Sequence, residues 1–247
     1  MDLRSHPIEL AATIQALWRY PVSSLRGERV DTLALASDGV RGDRDYLLVD
    51  LVSGEIAAPE KIARWRPALE LDARVTSRGV LISSKDWAMT IDDAELDSAL
   101  ADQFGFRCAI RRAGSSLLTN VGEIKLSPRY LASPVHLLSL RSLSELSELL
   151  PEAIVDVRRF RPNIVVDTRA DENDWVGRQI AMGACRGTVT EKTKRCGMTM
   201  IAQTNLCEDP EILRTIVQRR QRCFGVYADI DSEGVISVGD TISFDER

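Results

Sequence analysis

Hydrophobic and polar residues alternate in short stretches along most of the chain. Residues 12–18 form a mostly apolar run, which predicts an opening strand. Residues 69–76 alternate with a period of two, the pattern of a half-buried strand. The turn Ser77-Arg78-Gly79 then leads into residues 80–83, so the two segments predict a hairpin.

Further strands and three helices follow from the same patterns. The remaining predicted strands are residues 46–49, 87–91, 108–111, 164–167, 226–230, 235–238 and 241–244. Helices are predicted at residues 94–105 and 210–220. A third is predicted to begin at the capping box of Ser142 and Glu145 and to end at Pro151. In the last helix, Ile212, Ile216 and Val217 form the predicted apolar stripe.

Many short strands with few helices indicate a mainly β fold with helices (α+β), built as a β-barrel, rather than alternating βαβ units. Residues 113–120 are polar and rich in glycine and serine, so they predict a linker. We therefore predict an N-terminal β-barrel-like domain at residues 1–116 and a C-terminal barrel at residues 117–247.

The composition narrows the classes of protein. The chain has 247 residues, 44% of them hydrophobic and 28% charged, which is ordinary for a globular protein. Its net charge of −5 argues against a dedicated nucleic-acid binder. No apolar run approaches the ~18 residues of a membrane span, and residues 1–10 lack an apolar signal core. Five cysteines in no pairing pattern favour a reducing compartment, so we expect a cytoplasmic protein without a membrane partner.

Arginines recur beside small polar residues just before predicted strands. Arg41 and Arg44 precede residues 46–49, and the run 158–161, followed by Asn163, precedes residues 164–167. The planar guanidinium suits bidentate contact with phosphate or carboxylate. Each arginine alone can be a surface charge paired with an acid. Three arginines within four residues repel one another, however, unless an anion or acids compensate, so the run favours an anion pocket.

Cys196 follows Lys192, Lys194 and Arg195. Neighbouring positive charge favours the thiolate, which is the nucleophilic form and a ligand for soft metals. The alternative is a small buried hydrophobe, the usual role of a free cysteine.

Cys108, Cys185 and His136 lie in apolar, strand-like segments and predict core residues. The sequence contains no glycine-rich phosphate loop and no Gly-x-Ser-x-Gly motif.

Seven short motifs, in a fixed order from about residue 12 to residue 244, resemble the MOSC family, which is named for the C-terminal domain of molybdenum-cofactor sulfurase. No single motif is very specific, and the resemblance depends on their order and spacing. The motifs are Tyr20-Pro21-Val22-Ser23-Ser24-Leu25-Arg26-Gly27, Gly39-Val40-Arg41-Gly42-Asp43-Arg44, Leu47 with Val49 and Asp50, Arg159-Phe160-Arg161-Pro162-Asn163-Ile164-Val165, Arg195-Cys196, Phe224-Gly225-Val226-Tyr227 and Val238-Gly239-Asp240.

The resemblance implies an N-terminal β-barrel domain packed on a MOSC barrel, with the molybdenum cofactor (Mo-molybdopterin) between them. It also implies that Cys196 is the molybdenum ligand and the catalytic residue. Some members of the family reduce N-hydroxylated compounds, so the resemblance implies such an activity. The residues that the resemblance places at the cofactor are Ser23, Ser24, Arg41, Arg44, Ser139, Arg161, Asn163, Lys194 and Arg195.

Three positions depart from the family pattern. Ser23 stands where a lysine is usual, so Arg26 or Arg41 would have to replace that charge. Thr193 replaces the first cysteine of Cys-x-Arg-Cys and leaves Cys196 intact. Residues 199–203 read Thr-Met-Ile-Ala-Gln instead of Thr-Thr-Val-Asp-Pro, which makes a polar wall of the site more apolar.

Three functions remain open from the sequence. The first is a molybdenum-dependent oxidoreductase that reduces N-oxygenated small molecules. Because the chain ends soon after its last predicted strand, its electrons would come from a separate donor of the ferredoxin or flavoprotein type. The second is a sulfur or cofactor carrier that uses a Cys196 persulfide. The third, motivated by Ser23 and Ala202, is a metal-free protein that binds another anionic small molecule.

Overall fold

The computed structural model describes residues 12–120, 122–127 and 135–245. Short strands dominate this part of the chain, as the alternating pattern predicts. In chain order they are β1 (Ala12–Arg19), β2 (Val22–Ser23), β3 (Glu28–Val30), β4 (Thr32–Ala36), β5 (Gly39–Val40), β6 (Tyr46–Asp50), β7 (Asp72–Thr76), β8 (Gly79–Ser83), β9 (Ala88–Thr90), β10 (Cys108–Arg112), β11 (Ser116–Thr119), β12 (Gly122–Lys125), β13 (Val135–Ser139), β14 (Ile164–Asp167), β15 (Gln179–Met182), β16 (Cys185–Lys194), β17 (Cys223–Ser232), β18 (Gly234–Ser237) and β19 (Thr241–Phe244).

Helices are fewer and short. The α-helices are α1 (Leu96–Phe104), α2 (Leu140–Leu149) and α3 (Pro210–Arg220), and the 3-10 segments are Ala63–Glu70, Val157–Arg159, Glu172–Trp175 and Gly197–Thr199. Helix α3 begins at Pro210 as predicted, because the first helical turn needs no N–H from proline. Its predicted stripe is only partly right: Ile212 and Ile216 are buried, but Val217 is exposed. Among the described residues, no helix is long and apolar enough to cross a membrane.

Seven strands close into a barrel. Around the ring the order is β14, β13, β17, β16, β15, β19 and β1, and β1 pairs back onto β14. Neighbours are antiparallel except β13 and β14, which run parallel. Closure leaves no unpaired edge in the ring. The mainly β fold with a barrel is therefore confirmed.

The barrel core draws on both ends of the chain. Ile14 and Leu17 of β1 pack with Val226 and Ala228 of β17 and with Trp175, and all five are buried. Burying apolar surface of this kind contributes ~25 cal/mol per Å². The first strand is thus part of the barrel core.

A second apolar cluster occupies the N-terminal half. It takes residues from the sheets β10-β6-β2 and β7-β8-β9 and from α1. At its centre Trp65 is fully buried, and the rings of Phe104 and Phe106 approach it edge-on at 5.7 and 4.9 Å between centroids.

The two halves of the chain also share sheets. β1 pairs with β14 and β19, and β4 pairs with β18. The domain division between residues 116 and 117 stays a prediction, and in space these pairings cross it.

The strand predicted at residues 69–76 begins later than expected. Leu69 and Glu70 close the 3-10 segment Ala63–Glu70, and the strand starts at Asp72. Leu69 and Leu71 are both buried. The apolar positions of the alternating pattern are therefore buried for two reasons. Leu69 is buried in the 3-10 segment, and Ala73 is buried in the strand.

The predicted linker at residues 113–120 is wrong in its second half. Residues 116–119 form β11, which makes a hairpin with β12. Leu117 and Ile124 pack against the cluster of Leu47 and Val49, so this polar-looking stretch has an apolar side.

The predicted start of α2 at Ser142 is also wrong. Ser139 is the N-cap: its backbone is extended, and its side chain accepts a hydrogen bond from Ser142 N at 3.0 Å. Ser139 therefore supplies the cap, and the helix begins at Leu140.

Glu172 holds the start of α2 to the barrel from a fully buried position. Its carboxylate accepts hydrogen bonds from the hydroxyls of Ser139 and Ser142, the latter at 2.6 Å. Burial raises the pKa of Glu172 above its ordinary value, against these hydrogen bonds and the charge of Arg220. The folded protein therefore binds this proton more tightly than the unfolded chain does.

This difference predicts a pH effect on stability. The stabilisation by the Glu172 proton is complete below the ordinary pKa of 4.5 and is lost as pH rises through the folded pKa. Glu172→Gln cannot ionise, so the stability of the wild type relative to this variant should fall as the pH rises from about 4 to 8. Denaturant unfolding at several pH values measures this. The exposed Glu152→Gln is the control, and parallel pH profiles for wild type and Glu172→Gln would contradict the prediction.

Candidate functional site

Tyr20 follows the end of β1 and is buried between the two halves of the chain. Its backbone N–H donates to Asp43 Oδ1 at 2.6 Å, and its hydroxyl donates to the carbonyl of Pro162 at 3.1 Å. One residue thereby connects the loop before β6 with the loop before β14.

Three arginines predicted at the site surround Tyr20. The guanidinium carbons of Arg161 and Arg44 lie 4.2 and 5.4 Å from its ring centroid. Burial raises the pKa of Tyr20, and the charges of Arg161, Arg44 and Arg195 oppose this rise. The fold therefore brings together three cations that are far apart in the sequence, since Arg44 and Arg195 are separated by 151 positions.

The backbone beside Tyr20 adopts uncommon conformations. Ser24, Arg44 and Arg161 have φ values of 73°, 59° and 55°, in the left-handed region that favours glycine. Such conformations cost on the order of 1–3 kcal/mol each and concentrate at functional sites. All three residues were predicted at the site from the sequence.

A cavity of about 200 Å³ opens beside Tyr20. We call it the Tyr20 cleft. Its lining residues are Trp18, Tyr20, Arg26, Gly27, Asp72, Arg158, Arg161 and Gln203.

Three residues that line the Tyr20 cleft carry buried hydrogen-bond donors without a described partner. Trp18 Nε1, Arg26 Nε and Gln203 Nε2 are buried and have no hydrogen-bond partner among the described residues. Buried polar groups are normally paired, so such a group is typical of a place where a ligand or water binds. Three residues with such donors line this one cavity, and their chemistry suits a ligand rich in acceptors.

The cleft is also cationic. Arg26, Arg158 and Arg161 line it against one acid, Asp72, which forms an ion pair with Arg26. A second cavity of about 420 Å³ shares Arg26, Asp72 and Gln203 with the cleft and extends to residues of the N-terminal half, among them Glu70 and Lys85.

The arginine run 158–161 does not need one common anion. Arg158 is paired with Asp156 through two contacts of 2.8 Å. Arg159 points into the protein, and Arg161 donates to the carbonyl of Leu25 at 2.6 Å. The chain directs the three arginines to different partners, and the acid Asp156 compensates Arg158, one of the two alternatives that the sequence leaves open.

Arg159 organises the loop after Cys196. It is 1% exposed, and its guanidinium donates to the carbonyls of Thr199, Ile201 and Cys207. The loop that it holds carries Gln203 to the cleft.

Cys196 is partly exposed and carries a free thiol. It precedes the 3-10 segment Gly197–Thr199, and its carbonyl accepts from the Thr199 hydroxyl at 3.0 Å. It packs beside Leu69, Met198 and Ile201. Cys108 and Cys185, predicted as core, are fully buried.

Two other predicted site residues have side chains engaged within the fold. Ser24 donates to the carbonyl of Ala57 at 2.9 Å. Asn163 accepts from His136 N at 3.2 Å and donates to the carbonyl of Trp18 at 3.3 Å, so its amide joins three strands. Ser23 is buried in β2.

Arg195 and His136 lie close to the arginine cluster. Arg195 is buried and donates to the carbonyl of Phe160 at 2.6 Å. His136 is 2% exposed, and burial, followed by the charge of Arg195, lowers its pKa well below the ordinary value. The sequence-based prediction of His136 as a buried core residue is confirmed.

Cys196 is not among the residues that line either cavity, and three further predicted residues have no described contact with the cleft. Ser139 lies at the opposite end of β13 from His136 and is used by α2 and Glu172. Arg41 is 57% exposed and faces Asp38 and Glu233. Lys194 is exposed at the end of β16.

The sequence did not single out Trp18, Tyr20, Asp72 or Gln203 as site residues. Tyr20 was part of the first matched motif, and Gln203 closed the segment that departs from the family pattern. Arg26 was considered only as a replacement for the missing lysine. Nothing in the sequence marked Asp72, because it reaches the cleft through its bridge to Arg26.

Comparisons with known proteins agree with this architecture. The model of the MOSC N-terminal beta barrel domain matches residues 11–106, and that of the MOSC domain matches residues 104–243. The chain is 22% identical to mitochondrial amidoxime reducing component 2 of Bos taurus, over 97% of this chain and 85% of that protein.

The chain is also 24% identical to molybdenum cofactor sulfurase of Drosophila melanogaster, over 84% of this chain but 30% of that protein. It therefore spans less than a third of this relative. Among solved structures, the YUAD protein from Bacillus subtilis is similar with a TM-score of 0.49 and 11% identity, over 94% of both chains. Because the MOSC domain alone matches more than half of the sequence, this chain belongs to the MOSC family.

Proposed function

We propose that this chain binds the molybdenum cofactor in the Tyr20 cleft and reduces N-oxygenated small molecules with electrons from a separate donor protein. The observation that carries the proposal is the set of buried donors of Trp18, Arg26 and Gln203 without partners among the described residues. They line a cleft that also contains Arg161.

The chemistry of the cleft fits the cofactor. The pterin ring of the cofactor presents ring nitrogens and a carbonyl as acceptors. The phosphate group of molybdopterin is an anion. Arg26 and Arg161 suit the phosphate, because guanidinium groups form charge-assisted hydrogen bonds with its oxygens. Trp18 and Gln203 suit neutral acceptors. Arg44 and Arg195 add positive potential beside Tyr20.

Cys196 is the residue proposed to ligate the metal, since thiolate is a soft ligand. Bound molybdenum would supply the two-electron chemistry that converts R–NHOH, with two protons, to R–NH₂ and water. The protein's own contribution is to bind and orient. Arg159 fixes the loop after Cys196, and the cavity shared through Arg26, Asp72 and Gln203 gives the substrate room.

The comparisons support reduction over the sulfur carrier. The bovine relative, named for amidoxime reduction, is matched along nearly the whole of this chain and most of its own. The sulfurase is matched over only 30% of its length. The first experiment below distinguishes this proposal from the carrier function and from the metal-free function.

Replacing Cys196 should remove the metal. In protein from a host that makes the cofactor, we expect Cys196→Ser to lose most of its molybdenum, because a hydroxyl is a poor soft-metal ligand. Elemental analysis of metal per chain measures this. Cys207→Ser, at an exposed free cysteine, is the matched control and should keep its molybdenum.

Other outcomes discriminate among the functions. Wild-type protein without molybdenum or pterin, under conditions that load a known relative, would refute the proposal and favour the metal-free function. A sulfide adduct on Cys196 by mass spectrometry after incubation with a sulfurtransferase, in protein without metal, would favour the carrier.

Removing one unused donor should weaken cofactor binding without weakening the fold. Trp18→Phe deletes the Nε1–H, which bonds to no described residue, so no partner inside the protein is lost. We expect pterin retention to fall by about 10-fold, the value of one hydrogen bond of ~1.4 kcal/mol. Fluorescence of the released pterin after dialysis measures it. Trp87→Phe, a tryptophan of the N-terminal cluster, is the control, and equal retention in both variants would contradict the assignment of the cleft.

A further inference from the structure

Four exposed cations lie on the chain segments around Cys196, at the end of β16 and between the last turn of α3 and the start of β17. They are Lys192 and Lys194 at the end of β16, Arg219 in the last turn of α3, and Arg222 just before β17. We call these four residues the basic surface.

The local charge contrasts with that of the whole chain. Residues 192–207 and 212–228 contain seven lysines and arginines and no aspartate or glutamate, although the net charge of the chain is −5. Glu191 precedes the first segment, and residues 208–211 contain three acids between the two. Positive charge is therefore concentrated within these two segments.

The fold places the two segments side by side. Lys194 pairs with Cys223 across the β16–β17 ladder. The N–H of Arg195 donates to the carbonyl of Arg222 at 2.8 Å, and Arg222 Nε donates back to the carbonyl of Arg195 at 2.8 Å. These bonds fix Arg222 beside Arg195 and the end of β16 that carries Lys194.

The remaining three cations of the segments have other roles. Arg214 is paired with Glu211, Arg220 lies 2.9 Å from Glu145, and Arg195 is buried against Phe160. By contrast, the four cations of the basic surface form no ion pair with any described residue. Their charge is directed to solvent.

The basic surface adjoins the proposed metal ligand. Arg195, which is bonded to Arg222 through both backbone and side chain, is the residue before Cys196, and Cys196 is itself partly exposed. A protein docked here would bring its redox centre close to the metal, whereas docking elsewhere would leave the body of the chain between the two centres.

We propose that the basic surface is the docking site for an electron-donor protein with an acidic surface around its redox centre. This inference rests on the proposed function and adds the chemistry of the partner. Two donor molecules, each giving one electron, supply the two electrons that reduce R–NHOH with two protons from water. Opposite charge on two proteins raises their rate of association by about 10- to 10³-fold at low ionic strength.

A protein partner fits better than a nucleic acid or a membrane. The remainder of this acidic chain repels long polyanions, whereas a small acidic protein meets only the basic surface. None of the four residues lines the described cavities, so their charge faces a partner large enough to contact an open surface.

The test uses a small acidic [2Fe–2S] ferredoxin as the probe and the double variant Lys192→Glu/Arg219→Glu, which leaves Lys194 and Cys196 intact. The matched control is Arg74→Glu/Lys125→Glu, at exposed positions on β7 and β12 with the same change in net charge. Binding is measured by calorimetry at ionic strengths of about 20 and 300 mM, where screening is weak and strong respectively.

We expect the double variant to bind ferredoxin at least about 10-fold more weakly than wild type at low ionic strength, and the control to bind within about 2-fold of wild type. At the higher ionic strength the differences should shrink to about 2-fold. Equal weakening in both variants, no ferredoxin binding by wild type, or preferential binding of RNA or of phosphatidylserine vesicles would overturn the proposal.

A second readout separates this inference from the proposed function. Reduced methyl viologen, a small cation that needs no docking surface, should drive reduction of benzamidoxime equally in wild type and the double variant, while ferredoxin-driven reduction falls in the double variant only. If wild-type protein shows no turnover with reduced methyl viologen, the proposed function is refuted. The binding measurement then still tests the docking site by itself. Equal ferredoxin-driven rates in all three proteins refute the docking site alone.

Discussion

The pairing of β1 with β14 is the constraint on which the rest of the structure depends. It closes the barrel, and it is continued beyond the ladder by the bond from Trp18 N to the carbonyl of Asn163. Because Trp18 lies at the end of β1 and Tyr20 follows the strand, closure also brings both side chains to the loop that carries Arg161. A strand from the start of the chain thus completes the core and forms one wall of the cleft.

The cleft combines two opposite uses of arginine. Arg159 is buried and satisfies backbone carbonyls of the loop after Cys196, so its role is to shape that loop. Arg161 stacks on Tyr20 and reaches the cleft. Arg159 and Arg161 are only two positions apart in the sequence. Their side chains nevertheless point in different directions, because the backbone of Arg161 is left-handed and an extended strand follows it. Neighbouring arginines in a sequence therefore need not share a function.

Positive charge is collected at two places in a protein that is acidic overall. In the Tyr20 cleft it is enclosed, where a low effective dielectric strengthens its attraction for an anion. On the basic surface it is solvated, where it acts over about a Debye length and falls with salt. Arg195 and Cys196 link the two places, since Arg195 influences Tyr20 on one side and bonds to Arg222 on the other. In the proposed function, one region would bind the cofactor and the other would attract the donor of electrons.

The sequence by itself determined the mainly β fold, the helix from Pro210 and the burial of Cys108 and Cys185, because hydrophobic periodicity and the chemistry of proline depend on neighbouring residues. It misplaced the cap of α2 and took β11 for a linker, because a cap and a hairpin depend on contacts with Glu172 and Leu47 that lie far away in the chain. Only the tertiary structure decided that Trp18, Asp72 and Gln203 line one cleft, while Ser139 and Arg41 have partners elsewhere. The physical reason is that closing the barrel sets these distances, and no local pattern encodes a contact between strands that are more than a hundred residues apart.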